Sequence, residues 1–297
     1  MTSSQAVDIR PLLEDDVAAA AAVGHESLRE AGLRYGWTMA ERTPERAQFG
    51  EARIRHLLAT DPDGAWVAER DGEVVGTALA LRRGPLWFLS LLTVALDAQG
   101  QGVGARLLTA AERIGADAPM SLICASSDPK ALRRYALAGH ALLPAYTAKG
   151  TVDRSLLPAV PDVREGSWDG DRELVEAVGT MQRGTPYGPD LDFYAANGTH
   201  RLLVTDRAAG PGFAVVRVGD GPVLLAAARP EGAADLLWAS LAEAEGDVEL
   251  DALTADQQWA VEVALAARLS LTPGGESVCV RGALGPLSPY LPSGLFG

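Results

Sequence analysis

Six consecutive residues, Gln99, Gly100, Gln101, Gly102, Val103 and Gly104, put three glycines within five positions, between an apolar run and an amphipathic one. Glycine at that density is costly in regular structure, because it gives up more backbone freedom on ordering than any other residue. The cost is offset where several N–H groups must converge on a cluster of oxygens that a Cβ would keep at a distance. A helix opening at Gly102 would add its positive end at the same point. The chemistry expected here is phosphate binding. No Lys followed by Ser or Thr closes the loop as in a P-loop, and neither the three-glycine spacing nor the alternating parallel βαβ surroundings of a dinucleotide fingerprint are present.

Periodicity gives the elements that must hold this loop. Asp15 to Ala31 and Pro44 to Leu58 read as helices, the second opened by Thr43 as cap, Pro44 in the first turn and Glu45 beside the positive helix end. Asp71 and Gly72 lie between two apolar runs, the signal of an antiparallel hairpin, and a strand follows at Leu86 to Val94. After the glycines, Val103, Leu107, Ala110 or Ala111, and Ile114 form one apolar stripe on a helix. Met120 to Ala125 reads as a buried strand, Asp128 with Pro129 as a helix start, and Gly139 as its end. A short strand pair is expected at His140 to Leu143 and Tyr146 to Thr151, which completes the order βααβββαβαββ. Two prolines and several turn residues place a linker near Leu157 to Asp162.

In that context QGQGVG fits the [QR]xxGx[GA] pyrophosphate loop of the GCN5-related N-acetyltransferase (GNAT) superfamily, and LLTVALDAQGQGVGARLL resembles the strand, loop and helix that hold acetyl-CoA there. DPKALRRYALAGH is similar to a later stretch of the superfamily, with Asp128, Ala131, Tyr135 and Gly139 at the matching places; Asp128 replaces an Asn and His140 an aromatic. The resemblance is good over about 1–155 and looser to 297. It implies an α/β (α+β) fold of two tandem GNAT-like domains, each a mixed, mostly antiparallel central sheet flanked by helices, over 1–157 and 158–297.

The resemblance also implies a reaction, direct attack of an amine on the thioester of acetyl-CoA, with the cofactor in a wedge between splayed fourth and fifth strands. Thr93 and Val94 would offer backbone groups to its pantetheine arm. Gln99, Gly100, Gln101, Gly102, Val103, Gly104, Ala105 and Arg106 would hold the pyrophosphate, and Asp128 lies in the second cofactor-contacting stretch. Tyr135 would donate a proton to the leaving thiolate, a task suited to a phenol that stays protonated at neutral pH. The attacking amine must lose a proton, yet the strand 86–94 has no acidic residue. His25, Glu26 and Glu30 on the first helix and His140 are the candidates for base, each weighed against an ordinary surface or core role.

Residues 160–297 repeat the order. A helix is expected from about Gly170 to Thr180, then irregular chain rich in Gly and Pro. Strands follow at Arg201 to Thr205, Phe213 to Arg217 and Val223 to Ala228, with a turn at 219–221. A helix from Gly232, a strand at Val248 to Leu253, a helix from Ala255 and a strand near Ser277 to Val280 complete it. RPEGAA, from Arg229 to Ala234, again satisfies [QR]xxGx[GA], but the loop has lost two glycines; in the following helix Ala264 matches Tyr135 and Arg268 matches Gly139. This copy is read as degenerate. The Pro- and Gly-rich ending with Tyr290 and Phe296 is expected to be ordered if those aromatics are buried, packing across the domain boundary or lining the acceptor cleft.

Of 297 residues, 47% are hydrophobic and 22% charged, enough apolar content for two cores, and the net charge is −13. The first 150 residues carry −2 and the rest −11. That sign disfavours nucleic acid and anionic membranes, and could steer a cationic acceptor. Cys124 and Cys279 sit in apolar runs and read as buried free thiols, with no metal site. Trp168, Trp238 and Trp259 read as core. The opening MTSSQAVDIRPL lacks a signal-peptide pattern and no apolar run spans a bilayer, so a cytoplasmic location is expected. The expected function is acetyl-CoA-dependent N-acetylation of a small-molecule amine or of a lysine or N-terminal amine of a protein, with homodimerisation left open. The alternative is a non-catalytic acyl-CoA-binding sensor, and a longer acyl chain is a further variant decided by the width of the wedge at Leu91 to Val94.

Overall fold

The computed structural model describes residues 6–37, 39, 41–160, 162–206, 210–274 and 276–297; the first five residues and Pro161 of the expected linker lie outside the described residues. Two compact units divide the chain: residues 1–82 with 86–118, and residues 83–85 with 119–297.

The first unit contains β1 (Asp8–Pro11), α1 (Val17–Tyr35), α2 (Pro44–Thr60), β2 (Ala65–Arg70), β3 (Glu73–Arg83, up to Arg82), β4 (Leu86–Val94) and α3 (Val103–Ala111). Its strands run in the order β1-β2-β3-β4, with β1 and β3 antiparallel to β2. The β2–β3 hairpin turns at Asp71 and Gly72, whose φ angles of 55° and 81° are those of the tight turn expected from this pair. Thr43 caps α2 by accepting from the Arg46 N–H at 3.4 Å, with Pro44 in the first turn. Helix α1 packs on β4, where a Cβ on Gly24 would lie 3.3 Å from Leu91. Leu57, Val67, Leu79, Phe88 and Leu107 are completely buried and make the core.

The second unit contains β5 (Met120–Ala125), α4 (Pro129–Leu137), β6 (Ala141–Leu143) and β7 (Tyr146–Thr151), then β8 (Arg164–Glu165), α5 (Arg172–Arg183), α6 (Asp190–Ala196), β9 (His200–Thr205), β10 (Gly212–Arg217) and β11 (Gly221–Ala227). It ends with α7 (Pro230–Ala242), β12 (Asp247–Leu253), α8 (Gln258–Ala266), β13 (Ser270–Pro273), β14 (Ser277–Arg281) and β15 (Tyr290–Leu291). From β8 to β14 the order of strands and α-helices matches that from β1 to β7 element by element. Duplication is also visible in detail. The Tyr135 carbonyl accepts from the His140 N–H at 3.1 Å, and the Ala264 carbonyl accepts from the Leu269 N–H at 2.9 Å. Gly139 and Arg268, at matching places, both have left-handed backbone, φ 87° and 67°.

The pairing departs from the expected strand pair. β6 and β7 do not pair with each other: β14 lies antiparallel between β5 and β6, while β7 lies antiparallel between β12 and β13. Each copy's last strand thus sits in the other copy's sheet. The local reason is the two-residue link Pro144–Ala145. A two-residue hairpin needs positive φ, which proline cannot adopt. This exchange crosses the 157/158 boundary expected from composition, and the compact units divide elsewhere, near Ala118. Four elements go beyond those expected from the sequence of the second half: the short strands β8 and β13, α6 in a stretch expected to be irregular, and β15, flanked by prolines. Inside the second unit the Arg83 guanidinium and the Asp190 carboxylate form a buried bidentate pair at 2.8 and 2.5 Å, and Thr185 Oγ1 donates to the Arg83 carbonyl at 2.9 Å. Trp259 is buried and Trp238 packs half-buried on the same core, whereas Trp168 is only half-buried in the turn before α5. Cys124 on β5 and Cys279 on β14 are free, and burial pushes the Cys279 thiol up to about 12.

Candidate active site

In the first unit β4 ends at Val94, a 3-10 turn covers Leu96–Ala98, and Gly102 is the N-cap of α3. Gly100 and Gly102 have φ of 78° and 79°, conformations that cost an L-residue about 1–2 kcal/mol, and open space surrounds the position of a Cβ at either. Backbone conformation, not crowding, therefore demands glycine at both. The result is a run of N–H groups. Those of Ala105 and Arg106 already donate to the Gly102 carbonyl, both at 3.1 Å, whereas among the described residues those of Gly100, Gln101, Gly102, Val103 and Gly104 have no acceptor. Five consecutive donors lie at the positive end of a helix with no acidic residue in its first turn.

Side chains of the loop serve the loop itself. Gln99 Nε2 donates to the Val94 carbonyl at 2.9 Å, Gln101 Nε2 to the Asp97 carbonyl at 3.0 Å, and Arg106 to the Val7 carbonyl at 2.8 Å. Beside it, Thr93 is buried, and its Oγ1 is enclosed with no hydrogen-bond partner among the described residues. An orphaned hydroxyl and five unpartnered N–H groups make a donor-rich strip along the end of β4 and the start of α3. It suits a ligand that presents carbonyl and phosphate oxygens.

On α1, His25 is half-buried, and burial together with Arg42 lowers its affinity for a proton, which leaves a neutral ring at pH 7. Glu26 and Glu30 both bind Arg29, at 2.6 and 3.3 Å, and Arg29 keeps Glu26 below the usual carboxylate range. The middle of β4 receives a cation: Arg53 of α2 donates to Ser90 Oγ through Nη2 at 2.6 Å and Nε at 3.1 Å. Nothing in the sequence pattern pointed to Arg53, because a lone arginine on a helix carries no sign of the strand residue it reaches.

In the second unit Tyr135 on α4 is 5% exposed, and burial drives its hydroxyl pKa well above 10. The phenol therefore keeps its proton at neutral pH. His140 is committed to structure. Its Nε2 meets Ser121 Oγ at 2.8 Å, its Nδ1 meets the Tyr135 carbonyl at 3.2 Å, and its ring stands edge-on to Tyr135 with centroids 6.4 Å apart. Burial also lowers its pKa. Asp128 caps α4 by accepting from the Lys130 N–H at 2.8 Å.

The degenerate loop is shorter. Arg229 is the N-cap of α7, in extended conformation, only two residues beyond β11, and Glu231 occupies the first turn. Ala264 is buried where Tyr135 stands in the first copy. Among the described residues no group of three or more His, Cys, Asp or Glu is placed to hold a metal ion, and no helix is long and apolar enough to cross a membrane.

Residues 33–140 match the family model described as the acetyltransferase (GNAT) family. No curated protein matches the sequence. Among solved structures, a Pyrococcus horikoshii protein carrying an acetyltransferase description superposes with a TM-score of 0.77 at 17% identity, over 100% of this chain and 98% of its own. A GCN5-related N-acetyltransferase from Sphaerobacter thermophilus gives 0.58 at 16% identity over 94% and 97%. A tandem GNAT protein from the clavulanic acid biosynthesis pathway gives 0.57 at 17% identity over 95% and 99%. The likeness to these three structures is one of fold, over nearly the whole chain. The family-model match lies within the first copy, and the second copy repeats the order of its strands and helices.

Proposed function

We propose that the first copy, 1–157, is an acetyl-CoA-dependent N-acetyltransferase acting on a primary amine, and that the second, 158–297, does no chemistry. The observation that carries this reading is the row of five unpartnered N–H groups from Gly100 to Gly104 at the start of α3. Acetyl-CoA, when bound, supplies a thioester carbonyl open to amine attack and a thiolate leaving group. The loop holds the pyrophosphate through its backbone, while Gln99, Gln101 and Arg106 keep the loop in shape through the carbonyls they bind. Thr93 and Val94 line the pantetheine arm. Tyr135, whose hydroxyl burial keeps protonated at neutral pH, delivers that proton to the departing sulfur.

His25 is the group on α1 best suited to take the amine's proton. It is neutral, whereas Glu26 and Glu30 are occupied by Arg29. The acceptor is a small-molecule amine, or a lysine or N-terminal amine of a protein. The lack of an acidic residue in β4 favours one second reading, a sensor that binds acyl-CoA without turnover.

The test is calorimetric binding of acetyl-CoA followed by thiol release with a panel of amines. Binding with turnover on at least one amine supports the enzyme. Binding without turnover on any amine supports the sensor, and failure to bind acetyl-CoA refutes the assignment of the loop.

A further inference from the structure

The second copy has one strand that the repeat does not account for. β15 pairs antiparallel with β11 through Leu225↔Leu291 and Ala226↔Tyr290, and the Ala227 N–H donates to the Pro289 carbonyl at 3.3 Å. β11 and β12 are the fourth and fifth strands of this copy and lie in different sheets; β15 is the edge strand beside β11 and also contacts β12.

The chain holds this strand as a protein holds a peptide. Gln257, 2% exposed, donates from Nε2 to the Leu287 carbonyl at 2.6 Å and accepts at Oε1 from the Tyr290 N–H at 3.2 Å. Gln182 accepts from the Leu287 N–H at 3.0 Å and donates to the Ala227 carbonyl at 2.6 Å, so one side chain and its backbone bridge strand and occupant. Beyond β15, Tyr194 and Ser293 share a 2.7 Å hydrogen bond, and the buried Arg183 donates to the Phe296 carbonyl at 2.7 Å. Tyr290, Leu291 and Phe296 are buried. Main-chain bonds to a sheet edge, with buried pockets for side chains of an extended segment, are the features of β-strand addition.

We propose that the seam between β11 and β12 is a peptide-binding groove, occupied in cis by residues 286–297, and not a second acyl-CoA site. Each chain therefore takes up a single acyl-CoA, in the first copy; this count rests on the function proposed above. The groove selects an extended, proline-flanked segment whose aromatic and leucine side chains are buried.

The test has three arms. Calorimetry of the full chain with acetyl-CoA should give one site per chain, and Gly102→Val should weaken that site at least tenfold. A chain ending at Gly285 should bind a synthetic peptide of residues 286–297 at one per chain and regain thermal stability on doing so, with acetyl-CoA unable to displace the peptide. If that shortened chain does not fold, Gln257→Ala in the full chain reads the same groove: amide exchange across 287–291 should quicken at least tenfold while β9 and β10 stay unchanged. Two acetyl-CoA per full chain would overturn the proposal. So would peptide that fails to bind a folded shortened chain, or exchange in Gln257→Ala at the wild-type rate. No acetyl-CoA bound by the full chain would refute the acetyltransferase reading, and the peptide and exchange arms would then still decide the groove.

Discussion

Tyr135→Phe separates a proton donor from a packing residue, because the ring and its 6.4 Å edge contact with His140 survive while only the hydroxyl is lost. The side chain is 5% exposed. Loss of the hydroxyl alone, with the ring kept, should change thermal stability by no more than about 1 kcal/mol. Loss of a general acid should lower kcat about a hundredfold, which is about 2.7 kcal/mol of transition-state stabilisation. The assay is thiol release from acetyl-CoA with the best amine, repeated with an acetyl thioester whose thiolate is less basic. A poorer base needs less help in leaving, so the loss should shrink severalfold with that donor. Burial raises the phenol's pKa above its ordinary value of about 10, so the wild-type rate should show no alkaline fall from this group below that pH. Wild-type kcat in the variant, or equal losses with both donors alongside a lower Tm, would refute the acid role.

Three further outcomes follow from the geometry. Gly102→Val forces a β-branched residue into a left-handed backbone; it should cost about 1–2 kcal/mol in urea unfolding and weaken acetyl-CoA binding at least tenfold, and unchanged affinity would remove the loop from the binding site. Asp190→Ala strands the Arg83 guanidinium in a buried position and should cost about 3–5 kcal/mol, with part regained in the double variant with Arg83→Met; a loss under about 1 kcal/mol would contradict the pair's role. Burial lowers the His200 pKa to about 4 from an ordinary 6.5, so the unfolded chain binds the extra proton between those values. Stability should be complete above pH 6.5 and decline as pH falls toward 4, and His200→Phe should flatten that decline in Tm measured against pH.

Much of the frame is legible in the sequence. Asp71 with Gly72, Thr43 with Pro44, and Asp128 with Pro129 each name a local backbone geometry, and each adopts it. The exchange of β7 and β14 was not legible. Alternation says that a strand has a buried face, but not which edge it will join, and only the Pro144–Ala145 link hints that the expected hairpin is barred. β15 escaped notice because prolines on both sides demote a two-residue strand, and its stability comes from Gln182 and Gln257, far away in sequence. At the loop, the glycines announced a site for oxygens, but the local duties of Gln99, Gln101 and Arg106 depend on carbonyls that no spacing rule predicts.

The exchanged strands also set the timing of folding. β5 must wait for β14, which enters the sequence about 150 residues later, before its edge is covered, and β7 must wait for both β12 and β13. During synthesis the first copy therefore emerges with β5 and β6 separated by an empty strand position, an apolar edge that a ribosome-bound chain cannot close alone. Neither copy, cut from its twin, would have a complete set of strands. What began as two folding units has become one obligate unit: the second copy supplies the strand without which the first cannot finish.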